Sequence, residues 1–111
     1  MEQTNDWNSQ LRRGLLEFCI LALIEQEPRY GYEIVTRLAE APQLAAGEGT
    51  IYPLLRRLKK DGLVETFWVE SAAGPPRQYY RLMAPGQEAL GSMRSGWRQL
   101  VAAVDGFVAG G

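Results

Sequence analysis

The stretch GTIYPLLRRLKKDGLVE, residues 49 to 65, sets four cations, Arg56, Arg57, Lys59 and Lys60, in five positions of a chain whose formal net charge is −1. With about 100° per residue and Arg56 at the origin, Ile51, Leu54, Leu55 and Leu58 fall between about 160° and 260°. They predict one buried face. Tyr52, Lys59, Lys60 and Arg57 fall at about 320°, 300°, 40° and 100°, so the cations occupy the opposite side and Tyr52 is expected to be exposed among them. A helix is predicted from about Thr50 to Asp61, with the Thr50 hydroxyl as its cap, Pro53 in its first turn and Gly62 as its stop.

The charge around this helix is unevenly shared. From Thr50 to Arg81 six basic residues face three acidic ones, a balance of +3, whereas the remainder carries −4. Such a division suggests an anionic partner, with an ordinary solvated helix face as the plain alternative. Thr50 and Tyr52 near the start and four cations along the same side suit a DNA groove, with bases at the helix start and phosphates beside it.

Upstream, LRRGLLEFCILALIE (Leu11 to Glu25) reads as a helix whose apolar residues spread too far around the cylinder for one stripe, which predicts burial on more than one side. Gly14 is expected to make room there for a close neighbour. After Pro28, YGYEIVTRLAE forms a short second helix from about Gly31 with Ile34, Val35 and Leu38 inward, ending at Ala41-Pro42. Downstream, LVETFWVE and RQYYRL have strand composition, and SAAGPP between them predicts a hairpin with a loop of about six residues. Pro85 opens a final helix in which Leu90, Met93, Trp97, Leu100, Val104 and Phe107 follow steps of three and four, a heptad seam.

Two short helices, a basic third and a hairpin bearing Arg77 give the order of a winged helix-turn-helix. LRRGLLEFCILALI, YGYEI, GTIYPLLRRLKKDGLV and RQYYRL together resemble the PadR family of bacterial transcriptional regulators, over residues 11 to 108 and in the smaller subgroup with a single C-terminal dimerisation helix. The resemblance implies a homodimeric, ligand-released repressor that binds a palindromic operator in double-stranded DNA. On that likeness Thr50, Tyr52 and Arg56 are the expected groove contacts, Arg57, Lys59 and Lys60 the phosphate contacts, and Arg77 and Gln78 the wing. Family members commonly carry threonine where Met83 stands, so a side-chain cap is expected to be missing from the last helix, with Pro85 restoring part of the preference.

The expected fold class is therefore mainly α with a small β-hairpin: a winged helix-turn-helix over residues 1–83, its first nine residues flexible, and a long dimerisation helix over 84–111. The seam residues Leu90, Met93, Trp97, Leu100, Val104 and Phe107, with Leu15 of the first helix, are the expected dimer interface. Trp97 with Met93 reads either as plain packing or as a surface for a planar aromatic effector, and Arg94 and Arg98 as either solvated or attractive to an anionic ligand. Cys19 reads as a small buried hydrophobe, and Trp7 and Trp68 as packing residues. Tyr30, Tyr32, Tyr79 and Tyr80 are expected to pack around the helix and hairpin, although each has the reach to touch a phosphate.

Several function classes are excluded or disfavoured. One cysteine and no histidine leave no thiolate or imidazole cluster for a metal, and no cofactor is expected. Without those residues, a Gly-rich phosphate loop or a carboxylate pair set by a motif, an enzyme has little to work with. The longest apolar run, Phe18 to Ile24, is too short to cross a bilayer, and the polar start is no signal peptide, so a cytoplasmic protein is expected. A near-neutral total charge keeps one rival open, a winged-helix module for protein interaction or assembly.

Overall fold

The computed structural model describes the backbone of residues 2–110 and the side chains of 7–110. Its elements run α1 (Glu2–Gln26), β1 (Arg29–Tyr30), α2 (Gly31–Ala39), a 3-10 turn (Pro42–Leu44), α3 (Glu48–Lys60), β2 (Val64–Val69), β3 (Arg77–Leu82) and α4 (Ala84–Val108). The strands form one antiparallel sheet in the order β1-β3-β2. This is the winged helix-turn-helix arrangement with a long C-terminal helix, as expected.

The core is assembled from one face of each element. Leu16, Ile20, Leu21 and Ile24 of α1 meet Ile34 and Leu38 of α2 and Ile51, Leu55 and Leu58 of α3, with Val64, Tyr80 and Leu90 closing the cluster. Leu54, which shares the apolar arc of α3, is only half-buried. A left-handed Gly62 (φ 77) ends α3. Its amide bonds to the Lys59 carbonyl, and the Leu63 amide reaches back to Leu58 at 3.0 Å, a pairing that turns the chain directly into β2.

Several boundaries differ from expectation. α1 starts at Glu2 and not near Leu11. The helix α3 starts at Glu48, with Gly47 at its N-cap and no side-chain cap, so Thr50 lies inside it. Pro53 is consequently beyond the first turn, and the Gly49 carbonyl loses the amide it would otherwise accept from. The hairpin loop spans seven residues, 70–76, because β2 and β3 close at the pair Val69 and Arg77. The strand β1 was not foreseen; Arg29 and Tyr30 pair with Tyr80 and Tyr79. Gly14 has no neighbour within reach of a β-carbon, so the crowding expected there is absent among the described residues.

The start of α4 is pinned over β2. The Met83 amide donates to the Leu63 carbonyl at 2.9 Å, and a β-carbon on Gly86 would collide with that same carbonyl. Met83 makes no side-chain cap and Pro85 sits in the first turn, as the sequence suggested. α4 then runs back along α1, where Gln87 and Arg94 both donate to the Glu25 carboxylate, Arg94 through two nitrogens at 2.6 and 3.1 Å. At 25 residues it is about 37 Å long and outruns the body it packs on. The seam is therefore divided. Leu90, expected at the dimer interface, is fully buried in the chain's own core, while Trp97 (41%), Leu100 (57%), Val104 (46%) and Phe107 (88%) are all exposed.

Candidate nucleic-acid interface

Along the outward side of α3, Thr50, Arg56, Lys59 and Lys60 are all exposed. Arg56, Lys59 and Lys60 have no carboxylate partner among the described residues. Ile51, Leu55 and Leu58 on the opposite arc hold the helix to the core, so these cations project outward from it. Arg57 differs from its neighbours. It turns toward α1 and pairs with Glu17, so it is not the free phosphate ligand the sequence suggested. The pairing was invisible in sequence because the partners are 40 positions apart.

Tyr52 also departs from expectation. It is half-buried, because α2 begins so close that a β-carbon on Gly31 would strike its ring. The glycine of YGYEI is thus a packing requirement of α3. Burial, followed by the nearby Glu48 and Tyr32, raises the Tyr52 hydroxyl above its ordinary pKa. Tyr80 is raised as well, by burial and by Tyr52, against the opposing pull of Arg56. Both stay protonated at neutral pH and can donate hydrogen bonds.

These tyrosines lie in a recess of about 440 Å³ between α3 and the hairpin, lined also by Tyr30, Tyr32, Arg77 and Gln78. The Arg77 guanidinium sits 4.6 Å from the centre of the Tyr30 ring, which fixes the base of the wing to the strand before α2. Gln78 is half-buried and stands opposite Trp68 across the hairpin. On the outer strand pair, Arg81 bonds Glu65 at 2.8 Å and lies over Phe67.

Three residues carry more exposure than their sequence reading allowed. Trp68 is 68% exposed on the wing, Tyr32 is 54% exposed at the start of α2, and Trp7 is 61% exposed on α1, so none of them is a packing residue of this chain. For Tyr32 the signal was present, since the inward positions of α2 are Ile34, Val35 and Leu38. For Trp68 it was not, because alternation places it on the core-facing side of β2 but cannot tell that the hairpin extends past the core.

At the far end, Trp97 packs at a tilt on Phe18, with centroids 6.4 Å apart, and Met93 and Leu15 are half-buried. Phe18 supplies the aromatic neighbour that sequence did not identify. Arg94 is held by Glu25, whose carboxyl falls to about 2 under the hydrogen bonds of Arg94 and Gln87, so Arg94 is not available to an anionic ligand; Arg98 is exposed. The Cys19 thiol is half-buried and its pKa is raised by desolvation, as expected of a packing cysteine.

A helix-turn-helix flanked by a hairpin, with uncompensated cations along its third helix, defines a winged-helix DNA-binding protein. The profile of the transcriptional regulator PadR-like family matches residues 20–92, and the chain belongs to that family. Its members are transcription regulators and not enzymes. A PadR-like transcription factor from Bacteroides fragilis is 45% identical over 93% of this chain and 99% of its own, with a TM-score of 0.76. A PadR family regulator from Eggerthella lenta superposes with a TM-score of 0.87 at 31% identity, covering 99% of this chain and 96% of its own. A PadR-like regulator from Bacillus cereus gives 0.83 at 38% identity over 92% and 99%. No described helix is long and apolar enough to cross a membrane.

Proposed function

We propose that the protein is a cytoplasmic homodimeric repressor that binds a palindromic operator in double-stranded DNA and is released by a small planar aromatic ligand. The observation that carries this reading is the outward side of α3, where Arg56, Lys59 and Lys60 are exposed and uncompensated beside the wing residues Arg77 and Gln78. Thr50 and Arg56 reach base edges, Lys59 and Lys60 reach phosphates, and Tyr52 positions the helix from its flank and donates its hydroxyl. Arg57 serves mainly to tie α3 to α1.

Residues 1–83 form the reading unit and α4 the dimerisation element. Leu100, Val104 and Phe107 lie beyond the reach of the chain's own core, and a second copy is the simplest cover for them. Twofold symmetry then sets two reading helices about 34 Å apart, one DNA turn. The ligand enters beside Trp97, Phe18 and Met93, whose faces and thioether suit a flat apolar molecule.

The test is a footprint of the purified protein on its own upstream DNA, joined to sedimentation. Protection of two half-sites one turn apart by a dimer supports the reading. Equal, weak retention of every duplex, with tight binding to an acidic protein instead, would favour an assembly module.

A further inference from the structure

A larger recess lies on the other flank of α3, away from the wing. This cleft of about 730 Å³ separates the first half of α1 from the start of α3 and is lined by Arg12, Arg13 and Arg57, with Thr50 at its edge and Leu16 and Leu54 among its apolar residues. Its charge is unbalanced. Glu17 compensates Arg57, but no carboxylate faces Arg12 or Arg13 among the described residues. Arg12 is fixed by a bond from its Nη1 to the Ala45 carbonyl at 3.1 Å, which holds the connection leading into α3. Arg13 is exposed and carries no such tether.

We infer that this cleft receives a phosphate of the DNA strand flanking α3, with Arg13 making the contact and Arg12 bracing the loop beside it. The inference rests on the proposed DNA-binding role and extends it to a helix outside the helix-turn-helix. A helix with its side chains is about 10–12 Å across and the major groove about 12 Å wide, so a helix seated there has a phosphate backbone along each flank. The wing flank offers Arg77, Gln78 and the tyrosine hydroxyls to one strand. The arginine cleft faces the other strand, and the side chain of Thr50 borders both the groove face and the cleft. Excess positive charge held in a concave wall attracts an anion more strongly than the same charge on a convex face.

The test compares Arg13→Ala, Arg13→Glu and Arg13→Lys in the full chain, bound to the footprinted duplex at 50 and 200 mM salt. Each lost phosphate contact reduces the slope of log affinity against log salt by about 0.9, hence by about 1.8 for the proposed dimer. Arg13→Ala should accordingly lose about twelvefold less affinity than the wild type between those two concentrations, equally on operator and unrelated duplex. Arg13→Lys should restore the slope, and ethylation of one phosphate per half-site should interfere with the wild type but not with Arg13→Ala. Melting curves superimposed on the wild type are expected for all three, since Arg13 makes no hydrogen bond or ion pair among the described residues. If the wild type binds no duplex, the DNA reading itself fails. If it binds while Arg13→Ala and Arg13→Glu keep its slope and ethylation pattern, and Lys59→Ala does not, the cleft alone is refuted.

Discussion

Leu90 and Leu100 belong to the same heptad seam, at its two alternating positions, yet their alanine substitutions should act on different equilibria. Leu90 is fully buried in its own domain, so Leu90→Ala opens a cavity there and should cost about 2 to 5 kcal/mol of folding stability. Leu100 is 57% exposed in the single chain. Complete burial of a leucine contributes about 1.5–3 kcal/mol, so the share still to be gained on association is about 1 kcal/mol or slightly more per copy. Symmetry counts it twice, and Leu100→Ala should weaken dimerisation by about 2 kcal/mol, near thirtyfold in the dissociation constant. Sedimentation equilibrium over a wide concentration range reads the second effect, and chemical denaturation at fixed high concentration reads the first. An unchanged dimer constant in Leu100→Ala would refute the assignment of the outer half of α4. The division of the seam would be refuted by a Leu90→Ala protein that melts normally but dissociates.

Three other outcomes are expected. Arg56→Ala should lose about 1 to 3 kcal/mol of operator affinity and relax the preference at one base pair, whereas Lys60→Ala should weaken all duplexes evenly, as measured by fluorescence anisotropy. Gly31→Ala should cost about 1–3 kcal/mol by forcing the Tyr52 ring aside, and most of that penalty should vanish in a Tyr52→Ala background, which a double-mutant cycle in urea would detect. The Glu25 carboxyl, held at about 2 by Arg94 and Gln87, stabilises the fold above its ordinary pKa and loses that contribution as pH falls toward 2. The melting difference between wild type and Glu25→Gln should therefore be full at pH 7 and shrink below about pH 4.5, and a gap that stays constant down to pH 3 would count against the clasp.

Element order was legible because the relevant signals are local. The arc of Ile51, Leu55 and Leu58 opposite Arg56 and Lys60 is set by helical geometry alone, and strand composition on both sides of SAAGPP marks the hairpin. What escaped depends on approach between distant segments. An angle of about 320° put Tyr52 among the exposed cations, and no local pattern shows that Gly31 closes over it. The pair Arg57 and Glu17 joins two helices that no local pattern connects. Arg29 and Tyr30 are too few for an alternating pattern, so β1 exists only because β3 offers an edge. A heptad seam likewise shows which residues seek cover without showing what covers them, and Leu90 found it at home.

The packing of Tyr52 against Gly31, together with the Arg77 side chain laid over Tyr30, joins α3, the start of α2 and the hairpin into a single head. A head built this way resists pivoting on its own. In a dimer the pitch between two such heads would then be adjusted at the back of the molecule, where a carboxylate clasp and one aromatic contact connect α1 to α4.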